Sequence, residues 1–311
     1  MGHHGLAVWL GFTAVVVGLL VLDLGVLNRR SHALTFKEAM SWSLGLIALA
    51  LVFGLFLWWR EGSQHALEYY TGYLIELSLS VDNLFVFILI FNYFGVHAEA
   101  QPKVLKWGIL GAIVMRFLMI ALGALLLTRF EWIIYVFGGI LILTGLKMLL
   151  QQDGQVELEK NPVVRLARRV LPLADSYDGT RFFCRTPRGR TLATPLLLVL
   201  IVVEWSDLVF AIDSIPAIFA ITRDPFLVYS SNVFAILGLR ALFFVLAGML
   251  DRFVYLKPGV ALILVFVGGK MAVSAWLHIP TLLSLGVIVL TLGVSVGLSL
   301  ARSAREALAA A

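Results

Sequence analysis

The chain has 311 residues, of which 60% are hydrophobic and only 14% charged, and its formal net charge is +5. Soluble domains carry about 25% charged residues, so a globular protein with a fully wetted surface is excluded. One cysteine, Cys184, excludes an internal disulfide framework and a thiolate metal cluster.

Apolar runs of about 20 residues, enough to cross a hydrocarbon core of about 30 Å, recur along nearly the whole length. None alternates apolar and polar residues as a barrel strand does, which leaves helices to satisfy the backbone in lipid. The fold class is therefore all-α, a polytopic transmembrane bundle. The first run has no basic region or small-residue cleavage site ahead of it, so it reads as a retained span. Nine spans are expected: Leu6–Leu27, Trp42–Trp59, Leu67–Phe94, Val104–Leu127, Trp132–Leu150, Thr194–Ile221, Phe226–Leu250, Gly259–Leu277 and Leu282–Leu300. Trp42, Trp58, Trp59, Trp107 and Trp132 fall near expected ends, where an amphipathic ring prefers to sit.

Four basic residues (Arg116, Lys147, Arg240, Lys270) lie inside spans, and the other twenty lie in the connections and tails or, like Lys106, at the very start of a span. Connections after odd-numbered spans, with the C-terminal tail, hold seventeen of these, and the opposite side holds Arg60, Arg129 and Arg223. The positive-inside rule then puts the N-terminus outside and the C-terminus in the cytoplasm of a plasma (inner) membrane protein. Basic character thus reports orientation, and no nucleic-acid partner is expected. The lipid bilayer is the expected partner along the spans. Within the polar segment 151–193, Arg165, Arg168 and Arg169 suggest a short basic amphipathic helix on anionic lipid. A solvated linker that docks soluble partners is the plainer alternative.

Polar anchors repeat at held spacing. Asn83 precedes Arg116 by 33 residues and Asp207 precedes Arg240 by 33, while Arg116–Lys147 and Arg240–Lys270 are separated by 31 and 30. Gly145-Leu146-Lys147-Met148 also rhymes with Gly268-Gly269-Lys270-Met271. The expected organisation is two N-terminal spans (1–66), a three-helix unit (67–150), a cytoplasmic basic loop (151–193), a second three-helix unit (194–277), and a last span with its tail (278–311). Three is odd, so the two units face opposite ways. Inverted repeats are the architecture of many secondary transporters, with the solute site near the midplane.

Away from the span ends, where Glu68 sits, six acids fall within spans: Asp23, Glu76, Asp82, Glu204, Asp207 and Asp213. Each ionised group at the bilayer centre costs on the order of 3 kcal/mol on insertion scales. Arg116 and Arg240 lie mid-span, and each is expected to neutralise one acid. Lys147 sits near a span end where it snorkels, Lys270 holds the matching place in the second unit, and Asp23 lies close to Arg29 and Arg30. Glu76 and Asn83, seven apart, share a helix face that Asp82 borders, and Glu204 and Asp207 are neighbours at i, i+3. Pro216 removes a backbone bond, so a kink is expected to re-aim Asp213 toward the others. Four bases against six acids leave minus two if all are ionised, which matches one divalent cation. The donors are all oxygen, and the six histidines lie in loops or at span ends, so the set suits Mn²⁺, Mg²⁺ or Ca²⁺ over soft metals.

The sequence resembles the TerC family of tellurium-resistance-associated integral membrane proteins. The likeness rests on Leu22-Asp23-Leu24-Gly25, on Glu76-Leu77-Ser78-Leu79-Ser80-Val81-Asp82-Asn83, on Trp107-Gly108-Ile109-Leu110-Gly111 with Arg116, and on Glu204-Trp205-Ser206-Asp207 continuing to Ala211-Ile212-Asp213-Ser214-Ile215-Pro216. The resemblance implies export of Mn²⁺, or its delivery to metalloproteins outside the membrane, with no organic cofactor. It carries the ligand role onto Glu76, Asp82, Asn83, Glu204, Asp207 and Asp213. Proton exchange through the same carboxylates is a natural coupling. No HExxH or GxSxG string suggests an enzyme. The alternatives are a membrane scaffold or stress-resistance protein with structural salt bridges, and an amino-acid exporter. The charge asymmetry makes a direct prediction: cysteines introduced at positions 29 or 160 stay shielded from an impermeant thiol reagent in intact cells, and one at 62 is labelled. Labelling from outside at 160 would overturn both orientation and span count.

Overall fold

The computed structural model describes residues 5–22, 35–130, 132–150, 162–185, 190–247, 255–274, 276 and 279–310, without the side chains of 82, 85, 162, 163, 167, 168, 303, 304 and 306–310. Asp23 and position 160 lie outside the described residues, and of Asp82 only the helix position is described. The helices are α1 (Leu6–Val21), α2 (Phe36–Glu61), α3 (Ser63–Tyr93), α4 (Gln101–Arg129), α5 (Ile133–Leu150), α6 (Pro162–Val170), α7 (Pro195–Phe219), α8 (Pro225–Ala247), α9 (Leu256–Ala272) and α10 (Thr281–Ala310). A two-stranded antiparallel ribbon, β1 (Phe183–Arg185) with β2 (Thr191–Ala193), precedes α7. Seven helices are long and apolar enough to cross a membrane: α2, α3, α4, α5, α7, α8 and α10. With 16 and 17 residues, α1 and α9 are shorter than the expected first and eighth spans.

Local chemistry sets the helix ends. Helix α2 begins six residues earlier than hydropathy suggests, because Thr35 and Glu38 form a capping box, the Thr35 N–H donating to the Glu38 carboxylate at 2.9 Å. Between α2 and α3, Gly62 takes φ +95°, a conformation open to glycine. A cysteine label for this connection therefore belongs on the neighbouring, exposed Ser63. Proline opens α7 and α8, where the missing N–H costs nothing.

Helix α8 is apolar all round, and 83% of its most apolar stretch is buried, so it forms the centre of the bundle. Helices α2, α3 and α4 pack around it, while α7 packs against α3, α4 and α5. Helices α5 and α9 run antiparallel in close contact, and α10 covers α9 and α3. The α5–α9 approach depends on missing side chains. A Cβ on Gly268 would lie 2.7 Å from the Gly138 carbonyl oxygen, and one on Gly145 would lie 2.7 Å from that of Ala261. Small residues are how helices meet closely in lipid. Aligning Gly145 with Gly268 also aligns Gly138 with Ala261, so these two contacts exchange under the sequence correspondence.

Polar contacts between connections follow the expected alternation of sides. On one side, the Tyr177 hydroxyl donates to the Phe94 carbonyl at 2.7 Å and the Lys103 ammonium to the Thr180 carbonyl at 2.6 Å. Burial pushes the Tyr177 hydroxyl above its usual pKa range. On the other, Gln64 donates to Thr281 at 3.4 Å and Lys270 to Ser284 at 3.0 Å. The polar segment is thus an ordered element over its described part, docked on the α3–α4 connection. Its helix α6 buries Val164 and exposes Arg165, Leu166, Arg169 and Val170.

The α5–α9 geometry yields a prediction. Gly268→Val should cost about 1–3 kcal/mol by overpacking, read as a lower unfolding temperature in detergent. The adjacent Gly269→Val, with open space around its Cβ, should be nearly silent.

Candidate functional site

The centre of the site is Arg116, halfway along α4 and fully buried. Its Nη1 donates to Glu76 on α3 and, at 3.0 Å, to the Ser214 hydroxyl on α7. Its Nη2 and Nε donate to the two oxygens of Asp207 on α7 at 3.2 and 3.5 Å. A guanidinium fits this role because its planar fork serves one carboxylate with two donors and keeps a third for another partner. Asp207 and Ser214 are seven residues apart and so share the α7 face turned to α4. Glu76 is 0% and Asp207 3% exposed, and the second oxygen of Glu76 has no hydrogen-bond partner among the described residues.

Glu204 lies one turn before Asp207. Its carboxylate packs against Gly111 of α4, where any Cβ would collide with it. Glu204 and Asp207 line one crevice between α4 and α7, together with Gly108 and Ala112. Two carboxylates therefore bind one arginine in an apolar interior, with a third, Glu204, one turn away, and the three carry surplus negative charge when all are ionised.

Asn83 and Asp213 belong to a second grouping. Helix α7 runs unbroken through Pro216 to Phe219, so no kink turns Asp213 toward Asp207. Six residues along a continuous helix point the two carboxylates well apart. Asp213 instead accepts a hydrogen bond from Thr144 of α5 at 2.9 Å. With Asn83, Lys147 and Lys257 it lines a cavity of about 210 Å³. The Asn83 amide is 1% exposed, and neither of its polar atoms has a hydrogen-bond partner among the described residues. Arg240 is buried on α8. Lys270 lines a different cavity of about 450 Å³, with Glu68 and Arg223, at the other end of α9.

The expected ligands thus fall into two places, Glu76 and Asp207 on Arg116 with Glu204 one turn from Asp207, and Asn83 with Asp213 beside α5. Among the described residues, no three carboxylate, imidazole or thiolate groups converge as a preformed metal cage. The sequence reading missed Ser214, Thr144 and Lys257. Ser214 had a signal, its seven-residue spacing from Asp207. Thr144 shares its helix face with Lys147 at i, i+3. The reading also missed Asn232, fully buried on α8 with an amide unpartnered among the described residues.

Residues 61–307 match the model of the integral membrane protein TerC family, and the chain belongs to that family. It is 52% identical over 303 residues to an uncharacterized membrane protein of Myxococcus xanthus, covering 97% of this chain and 94% of the relative. It is 50% identical over 289 residues, 90% of each chain, to an Escherichia coli (strain K12) protein provisionally named membrane-bound redox modulator Alx. An uncharacterized membrane protein of Rickettsia felis is 41% identical over 277 residues, 89% of this chain and 92% of the relative. No solved structure is significantly similar.

The geometry predicts a sharp dependence on Arg116. Arg116→Gln leaves two buried carboxylates unpaired and should cost about 3–5 kcal/mol, seen as lost abundance and heat resistance. The neutral triple variant Glu76→Gln, Arg116→Gln, Asp207→Asn should recover most of that loss.

Proposed function

We propose that this multi-pass membrane protein is a secondary transporter that exports a divalent cation, Mn²⁺ first, with Mg²⁺ and Ca²⁺ as alternatives. The observation that carries the reading is the convergence of Glu76 and Asp207, from two different spans, on one positive charge at full burial. Two such carboxylates in an apolar interior demand a cation between them. Arg116 supplies it in this conformation, and a hydrated divalent ion that loses its water supplies it in another. Glu204 adds negative charge at the same level, and Asp213, Asn83 and Asp82 offer oxygen donors nearer one end of the path. All these donors are hard oxygens, which favour Mn²⁺ over Cu(I). Protons and metal compete for the same carboxylates, so acidifying the loading side lowers apparent metal affinity.

The two three-helix units, α3–α5 and α7–α9, are related by a pseudo-two-fold axis in this proposal. The exchange of the Gly145–Ala261 and Gly138–Gly268 contacts supports it. Helix α9 lies antiparallel along α5 and so covers the same membrane depth, which supports a ninth crossing by a short helix. The seventeen-to-three distribution of basic residues favours a cytoplasmic C-terminus. The name of the Escherichia coli relative fits indirectly: moving a redox-active cation alters redox balance without a redox centre in the carrier.

A scaffold with structural ion pairs is the second reading, favoured by the bidentate Arg116–Asp207 pair. Transport separates them. Cells carrying the protein should hold less Mn²⁺ than deletion cells under Mn²⁺ load, with Cu and Zn unchanged. Asp207→Asn should stop export while leaving protein in the membrane. A stable neutral triple variant that still exports Mn²⁺ assigns these charges to packing and ends the cation-site reading.

A further inference from the structure

The two polar cavities occupy opposite ends of one seam, where α3 and α7 face α5 and α9. The first, about 210 Å³, is lined by Asn83, Asp213, Thr144, Lys147 and Lys257. The second, about 450 Å³, is lined by Glu68 near the start of α3, Ile134 near the start of α5, Ala220 after α7, and Lys270 and Ser274 at the end of α9. Lys147 and Lys270 hold corresponding places in the two rhyming strings Gly145–Met148 and Gly268–Met271. Each shares its cavity with one carboxylate, Asp213 or Glu68. Between the cavities lies a layer without polar side chains: Ile75, Leu141, Ala217 and Val267, each 0% exposed and part of one packed cluster.

We propose that these cavities are the two mouths of a single translocation path for a small hydrated cation, closed in this conformation by the plug of Ile75, Leu141, Ala217 and Val267. This rests on the transport reading and adds the route, the gate and the side on which each mouth opens. The first mouth opens toward the 162–194 segment, since it is lined by the last turns of α5 and the first turn of α9. The second opens toward the α4–α5 and α9–α10 connections. In each mouth two basic side chains, Lys147 with Lys257 or Lys270 with Arg223, share the cavity with the one carboxylate and compensate its charge until cargo arrives. Opening requires the α5–α9 pair to move against α3 and α7. That pair is held by close glycine contacts, whereas α3, α4 and α7 are tied together through Arg116.

Thiol accessibility tests the route without any cargo, so failed Mn²⁺ transport and a wrong route give different results. In a Cys184→Ser background, Thr144→Cys and Ser274→Cys are exposed to a small impermeant cationic thiol reagent in vesicles of each orientation. Thr144→Cys should react only from the side bearing the 162–194 segment, Ser274→Cys only from the other, and Leu141→Cys from neither. Reaction of both mouth cysteines from the same side, or of neither in protein of normal abundance, overturns the route. Free reaction of Leu141→Cys from both sides overturns the plug. Adding Lys147→Gln should raise the rate ratio of cationic to anionic reagent at Thr144→Cys about tenfold. An unchanged ratio removes the lysine from the mouth.

Discussion

A guanidinium with no access to water fixes the middle of this molecule. Arg116 lies at the bilayer-depth centre of α4, where an unpaired charge is worth several kcal/mol against insertion. It is tolerable only because α3 brings Glu76 and α7 brings Asp207 and Ser214 to the same point. Three helices distant in sequence are thereby held in one register. Water at the surface forgives a misplaced charge, and lipid does not, so the ion pair acts as a specificity device for the helix arrangement. The packing of the Glu204 carboxylate into the space beside Gly111 follows from the same register of α4 against α7.

Away from that point the bundle is held differently. Between helices in lipid there is no hydrophobic drive to associate, and packing rests on close contact of small residues. The α5–α9 pair is the clearest case, with Gly138, Gly145 and Gly268 bringing backbones together. Charge-fixed helices resist sliding because a small displacement unpairs buried ions. A glycine seam loses only a few contacts at a time. The molecule is thus held by buried ion pairs around Arg116 and by glycine packing at α5–α9, and the polar cavities lie beside the glycine-packed pair.

Most of this fold was legible in the sequence because lipid imposes one simple rule, an apolar run long enough to cross. Spans came out within a few residues at α3, α5, α7 and α8. The start of α2 did not, because a capping box set it and hydropathy carries no trace of Thr35 and Glu38. Pairings were harder. Arg116 was expected to take one acid and takes two, since a guanidinium has donors for both and spacing alone does not reveal how many helices reach it. The expected kink at Pro216 failed for a physical reason: a proline near the end of a helix removes one bond without turning the axis where flanking helices hold it straight. Asp213 accordingly stayed where helical geometry puts it, against α5. Thr144 was invisible as a partner because a threonine in an apolar run ordinarily bonds back to its own helix.

The departures from symmetry carry the chemistry. In the sequence correspondence Asn83 stands opposite Asp207 and Arg116 opposite Arg240, so the counterpart of the Arg116–Asp207 pair sets an amide, Asn83, against Arg240. Only one of these pairs makes a full ion pair by type. Its counterpart leaves the buried Asn83 amide unpartnered among the described residues, beside a cavity that also holds Asp213. Asp213 itself has no acidic counterpart, since the matching position in the first unit is Leu89. A transporter made of two identical halves would bind its cargo equally from both sides and have no preferred direction of coupling at the site. The two cavities match in formal charge, since Asp213 shares one with Lys147 and Lys257 and Glu68 shares the other with Lys270 and Arg223, and they differ in the buried Asn83 amide at the first. On the proposed transport reading, a cation would meet the Asn83 amide oxygen only on the Asp213 side, where that amide lies buried.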